Sequence, residues 1–169
     1  MNRRNGKLQG TTDNGGRFVR RSLRAGVLCA VAVLACAGLA GAQSNVSLPG
    51  LGGGSLTSRD LSSGTHVLVV WASWSPRCRD IVQRVNELSG KVSGARVATI
   101  DFQEEAGDVE AFLSGKGLRA PVYLDRSGDF SKAHAVTTLP GLVVYRDGEL
   151  KFQGHLENDA VSQVQALLR

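Results

Sequence analysis

Cys78 stands in the stretch Trp71-Ala72-Ser73-Trp74-Ser75-Pro76-Arg77-Cys78-Arg79, with Ser75 three residues ahead of it and an arginine on each side. A cysteine reacts as its thiolate, which a helix N-terminus and nearby cations favour and apolar burial disfavours. The stretch predicts a helix running from Pro76 to about Gly90, with Ser75 as its N-cap and Pro76 in the first helical position, where a missing N–H costs nothing. Cys78 would then lie in the first turn, where the helix dipole favours negative charge. Arg77 and Arg79 push in the same direction. Ser75 offers only a hydroxyl, which needs a general base to become a nucleophile, and the sequence shows none to activate it. A lone thiol also cannot run a two-electron dithiol cycle within the motif. The competing reading is a buried, inert cysteine, since free Cys is among the most buried residue types.

Whether other thiols accompany Cys78 depends on the leader. Residues 1–42 carry Arg3, Arg4, Lys7, Arg17, Arg20, Arg21 and Arg24 against Asp13 alone, a net charge of +6. The remaining chain carries 13 basic and 14 acidic residues, so the overall +5 belongs to the leader. The folded part has no basic footprint for phosphates, and nucleic acid is excluded as a partner. Arg20, Arg21 and Arg24 precede the small and apolar run 25–40, which is followed by Ala40-Gly41-Ala42. Basic region, apolar region and small-x-small cleavage site are the parts of a secretory signal peptide, here expected over 1–42. The apolar run falls short of the roughly 20 residues that comfortably span a bilayer. Cys29 and Cys36 would leave with the signal, and Cys78 would be the single thiol of an exported chain in an oxidising compartment.

The elements that must position Cys78 follow from hydrophobic period. Residues 43–64 are rich in Gly and Ser, the composition of a linker, yet Val46, Leu48, Leu51, Leu56 and Leu61 give apolar beats that fit a short hairpin turning at 52–54. His66 to Trp71 is an apolar run of strand length, as in a strand covered on both faces. Ile81, Val82, Val85 and Leu88 carry the helical period after Pro76. Further strands are expected over 95–102 and 121–124, and short helices over 108–113 and 130–136. Residues 142–145 and 150–152 flank Asp147-Gly148, a hairpin signal. Val161, Val164, Leu167 and Leu168 form the inward stripe of a closing helix over 159–168. This alternation predicts one α/β domain over 65–169, a mixed central sheet flanked by helices. The acidic group Glu104, Glu105, Asp108 and Glu110 reads as a solvated loop and helix start. His66, His134 and His155 are scattered and offer no metal-ligand spacing.

These residues together carry a resemblance. A strand ending in Trp-Ala-Ser-Trp, then x-Pro-x-Cys-Arg opening a helix, and much later Thr138-Leu139-Pro140 before an apolar strand, resembles the thioredoxin superfamily. Within it the chain is most similar to the exported TlpA/ResA-like thiol–disulfide oxidoreductases, over about residues 46–169. Leu48-Pro49 and Ser55-Leu56-Thr57 resemble their N-terminal hairpin. Pro121 to Asp125, with Gly128 and Ala133 to Val136, resembles their inserted helix and strand. The resemblance implies that Ser75 occupies the position of the attacking cysteine, that Cys78 matches the resolving one, and that Ile81 stands where some relatives carry a Glu. It implies a cis peptide before Pro140 and a groove formed by Trp74, Pro76, Leu139 and Pro140 against which a partner peptide lies extended. It implies no cofactor. The same Ser-x-x-Cys spacing also resembles the peroxiredoxins, although Trp71 stands where their motif has proline and Pro140 where they place an arginine.

Two functions compete. The first is a monothiol or redox-impaired oxidoreductase using Cys78, with Arg77 and Arg79 stabilising its thiolate and protein thiols or disulfides as partners. The second is a non-catalytic module that keeps the groove to hold extended peptides. In either case the protein is expected outside the cytoplasm, in the bacterial periplasm or cell envelope. A membrane attachment would require Val33-Leu34-Ala35-Cys36 to act as a lipoprotein box. Mass spectrometry of the mature protein checks the leader: a chain beginning at Gln43 is expected, and a lipidated N-terminus at Cys36 would mean cleavage before Cys36 and membrane anchoring instead.

Overall fold

The computed structural model describes residues 45–169. The expected signal peptide, its cleavage after Ala42 and the alternative lipid site at Cys36 lie outside the described residues. β1 (Ser47–Pro49) and β2 (Ser55–Thr57) pair antiparallel as the expected N-terminal hairpin. The main sheet holds β3 (Thr65–Trp71), β4 (Ala95–Phe102), β5 (Val122–Asp125), β6 (Gly141–Arg146) and β7 (Glu149–His155) in the order β5-β4-β3-β6-β7. β3 is parallel to β4 and antiparallel to β6, which makes the sheet mixed. The helices are α1 (Ile81–Lys91), α2 (Ala106–Leu113), α3 (Asp129–Ala133) and α4 (Ala160–Leu168). The α/β class, the thioredoxin-like sheet and the added hairpin are thus as the sequence predicts.

β3 explains the apolar run. Val67, Leu68, Val69, Val70 and Trp71 are all fully buried, because both edges of the strand are paired and both faces are covered. The alternation of side chains sends them to two cores. Val67, Val69 and Trp71 join α1, α2 and α4, while Leu68 and Val70 join the hairpin residues Leu48 and Leu56 together with Phe130 of α3. Residues of the Gly- and Ser-rich segment therefore form part of the second core. Backbone bonds add to this attachment: the Leu51 N–H donates to the Val122 carbonyl at 2.9 Å.

Two polar devices fix the ends of the sheet. At the β6–β7 turn both Asp147 (φ 51) and Gly148 (φ 82) take positive φ, as a two-residue hairpin requires. That turn is tied to the start of β3, since the Gly64 N–H donates to the Asp147 carboxylate at 2.8 Å and the Asp147 N–H to the Gly64 carbonyl at 2.9 Å. At the far edge, buried Asp125 accepts from the N–H groups of Phe130 and Ser131 and from the Ser131 hydroxyl, at 3.1, 2.9 and 2.7 Å. One carboxylate thereby holds the first turn of α3 onto the end of β5.

The main local departure from sequence expectation falls at the motif. The helix expected from Pro76 is broken: Pro76–Cys78 is a 3-10 turn and α1 begins only at Ile81, with Asp80 as its cap residue. Ser75 does hold the N-cap position of the short turn, but its side chain makes no capping bond. Its carbonyl serves instead, accepting the Cys78 N–H at 2.9 Å. Such i→i+3 closure is the usual way a short turn saturates its backbone. Cys78 therefore precedes α1 rather than sitting in its first turn, so the dipole argument for its thiolate loses its geometric basis. Replacing Asp125 with Ala should cost about 3 kcal/mol, because three donors are left unmatched in a buried site. Urea denaturation of Asp125→Ala against the parent chain measures it, and a loss under about 1 kcal/mol would mean that water takes over the carboxylate's bonds.

Candidate functional site

The C-terminal end of β3 delivers Trp71 into the core and Trp74 into solvent. Trp71 is fully buried, whereas Trp74 is 61% exposed. Trp74 packs against Phe102 at the end of β4, ring centroids 6.4 Å apart and tilted by 58°. Beside this pair runs a groove of about 510 Å3, lined by Trp74, Ser75, Pro76 and Arg77 on one side and by Phe102 and the segment 136–139 on the other. The Leu139–Pro140 peptide bond is cis, as the resemblance implies. Leu139 lines the groove, while Pro140 is buried and does not line it. Three of the four residues named from sequence for this groove (Trp74, Pro76, Leu139) thus meet at one surface, joined by Ser75 of the motif, although more than 60 positions separate Pro76 from Leu139 in the chain.

The thiol is not at that surface. Cys78 is fully buried in the core cluster that contains Trp71, Ile81 and Leu142. No disulfide involves it, and it is not a lining residue of the groove. The arginines that flank it are both exposed and are split between two places. Arg77 lines the groove, whereas Arg79 lines a separate open depression with Lys116 and Arg119. What the motif presents to the groove is the exposed Trp74, Pro76 and Arg77, with the largely covered Ser75 among them and no sulfur. Among the described residues no group of His, Cys, Asp and Glu could hold a metal ion.

Two acids belong to the site that the sequence reading assigned elsewhere or passed over. Glu104, read as a solvated loop residue, is only 8% exposed. It reaches back to the motif: its carboxylate accepts the Ser73 N–H at 2.6 Å and also the Ser73 hydroxyl. Its loop sequence is as polar as expected, but Gln103 at φ 59 turns the chain and points the next residue inward. Asp101 is fully buried, lies opposite Trp71 in the β3–β4 register, and neither of its carboxyl oxygens has a protein hydrogen-bond partner. Burial, and then the neighbouring Glu104 carboxyl, push its pKa up to about 8. Asp101 therefore keeps its proton at neutral pH. The unfolded chain would lose that proton near pH 4, so the group's contribution to stability is full below that value and falls as pH rises through about 8. An acid in the buried stretch 95–102 was the one sequence signal that could have drawn attention to it.

Two of the three histidines, His66 and His134, play structural parts, while His155 is exposed. His134 is buried, its Nδ1 bonded to the Phe130 carbonyl at 2.7 Å and its Nε2 to the Tyr145 hydroxyl. Burial holds its pKa below the ordinary imidazole value, so the ring stays neutral, with Nδ1–H donating and Nε2 accepting. His66 is also buried and bonds the Ser63 carbonyl at 3.0 Å.

Comparison with known proteins agrees with the fold and motif. The family model described as Redoxin matches residues 40–168. The thiol-disulfide oxidoreductase ResA of Bacillus thuringiensis subsp. konkukian is 26% identical over 109 residues, which make up 63% of this chain and 63% of that protein. ResA of Halalkalibacterium halodurans is 26% identical over 115 residues, 66% of this chain and 65% of that one. The chain is thus matched to less than two thirds of the length of these curated relatives. Among solved structures, the exposed lipoprotein thioredoxin Etrx1 of Streptococcus pneumoniae superposes with a TM-score of 0.65 at 20% identity, covering 74% of this chain and 98% of that one. A secreted disulfide oxidoreductase of Mycobacterium tuberculosis gives a TM-score of 0.60 at 21% identity, covering 74% and 93%. With the family model spanning three quarters of its length and the sheet and cis-proline loop in the expected places, this chain belongs to the redoxin family, on a TlpA/ResA-like thioredoxin fold without a Cys-x-x-Cys pair.

Proposed function

We propose that the chain is an exported thioredoxin-fold protein that holds an extended segment of a partner protein in the Trp74–Leu139 groove without exchanging a disulfide with it. The observation that carries this reading is the separation of thiol from groove: Cys78 is fully buried and does not line the groove, and Ser75, itself only 7% exposed, lines it where an attacking sulfur would be needed. A serine hydroxyl cannot open a disulfide without a base. Among the described residues no carboxylate or imidazole hydrogen-bonds Ser75, and Glu104 spends its bonds on Ser73. What the groove does offer is an exposed indole, the apolar surfaces of Phe102, Val136 and Leu139, and the Arg77 guanidinium at its edge. Those are the features of a surface that takes an apolar side chain from a strand-like peptide. Two structural relatives, one a secreted disulfide oxidoreductase and one an exposed lipoprotein thioredoxin, support export alongside the leader's composition.

The monothiol reading makes a different demand, since Cys78 would have to come out of the core before it could react. Insulin reduction by a dithiol reagent separates the two. The protein should leave the rate unchanged, and Cys78→Ser should match the parent. Catalysis that vanishes in Cys78→Ser would replace binding with thiol exchange. Binding itself is read with carboxymethylated insulin B chain as the extended probe. Trp74→Ala should weaken it about ten-fold, the order expected for one buried aromatic anchor. No measurable binding by the parent chain would overturn the groove reading. Ser75→Cys places a second thiol three residues from Cys78, and gain of insulin reduction in that variant is expected if the rest of the fold is competent.

A further inference from the structure

The wall of the groove is a short segment with few ties of its own. Residues 72–75 follow the last residue of β3, and among them the Ser75 N–H closes a turn onto the Ala72 carbonyl at 3.2 Å. The side-chain ties all come from the end of β4. Phe102 takes the ring of Trp74, and Glu104 takes both the N–H and the hydroxyl of Ser73. The segment 102–104 is in turn held from the far edge of the sheet. The Gln103 N–H donates to the Asp125 carbonyl at 3.1 Å, and its carboxamide reaches the Ser127 carbonyl at 3.4 Å. The left-handed backbone at Gln103 is what lets Phe102 and Glu104 both face the motif. Directly beneath lies Asp101, whose two oxygens are buried without a protein partner.

The geometry points to Glu104 as the positioning residue of the groove: its carboxylate holds Ser73, and through it Trp74 and Ser75, against the end of β4, and the buried acid Asp101 governs whether that hold persists. The consequence for ligand binding rests on the groove reading above. The consequence for Cys78 does not. The Cys78 N–H is bonded to the Ser75 carbonyl, so loosening the segment loosens the turn that keeps the thiol inside. The charged groups acting on Asp101 are Glu104 from the loop and Asp108 from α2, both acids. When Asp101 loses its proton, near pH 8, a negative charge appears beside the Glu104 carboxyl in a buried space where water screens it little. The cheapest relief is for Glu104 to swing out and release Ser73.

The test uses no peptide. Labelling of Cys78 by an aromatic disulfide reagent is followed at pH 7, and Trp emission is followed from pH 6 to 10. Glu104→Ala should raise the labelling rate about ten-fold, the order expected from losing hydrogen bonds to a charged group. Glu104→Gln should stay within about two-fold of the parent, since its carboxamide oxygen can still accept from Ser73. The parent's emission should move to the red with a midpoint near 8, and this transition should be absent in Asp101→Asn and in Trp74→Phe. Labelling of Glu104→Ala at the parental rate, in a chain with parental circular dichroism, overturns the proposal. A flat parental emission profile overturns it too, and that measurement stands even if Glu104→Ala fails to fold. A parent chain that binds no insulin B chain yet shows both effects defeats the groove reading and leaves the positioning role intact.

Discussion

Strand β3 is buried on both faces and hydrogen-bonded along both edges, and the site exists because that strand has to end. From Val67 to Trp71 every side chain is fully covered, alternately by the helical layer and by the hairpin with α3. A strand so placed has no exposed position on which to carry a functional group. Function can start only where pairing stops, after Trp71, and there the chain leaves the sheet between β4 and the loop that leads into β6. This is why one aromatic of the motif is core and the other is surface. Three residues past the end of β3, Trp74 has left the sheet and turned out to solvent.

The same constraint sets a problem that the two acids answer. A segment leaving the centre of a sheet carries backbone donors with no strand partner, and a buried N–H without an acceptor is costly. At Ser73 the acceptor is Glu104. Bringing a carboxylate into this position costs desolvation, which its two bonds from Ser73 offset. Asp101 meets the same environment without partners, and keeping its proton is the cheaper state for it. One acid is held by hydrogen bonds and the other by neutrality. The pair therefore ties the architecture of the sheet to the charge state of the site, a link that neither residue would make alone.

Period made most of the scaffold legible. The apolar run at 66–71, the helical stripe of Ile81, Val82, Val85 and Leu88, and the Asp147-Gly148 turn each have one physical interpretation, and the structure realises each. The groove was reachable because Trp74 and Leu139-Pro140 carry a family's spacing. Three features were not reachable, each for its own reason. The break at Arg79–Asp80 depends on Ser75 using its carbonyl rather than its hydroxyl, a choice made by backbone geometry. The inward turn of Glu104 depends on a left-handed Gln103, which composition does not announce. The depth of Cys78 depends on how α1 and β6 close over it, and a cysteine at the start of a helix reads the same whether it is covered or open.

Serine at position 75 takes its meaning from these placements. If Cys78 were exposed, a hydroxyl in the attacking position would leave a half-functional pair, with the second sulfur available to any disulfide that entered the groove. With Cys78 covered, the groove presents no sulfur at all, and its surface can be closed around a partner without covalent capture. Oxygen is smaller than sulfur and hydrogen-bonds more strongly, so Ser75 leaves the groove polar at one point among apolar walls. A surface of that kind distinguishes partners by shape and by one or two polar contacts rather than by redox state. The burial of one thiol thus decides how the substitution three residues earlier is to be understood, and it makes accessibility, rather than motif completeness, the property that separates a redox protein from a binding protein on this fold.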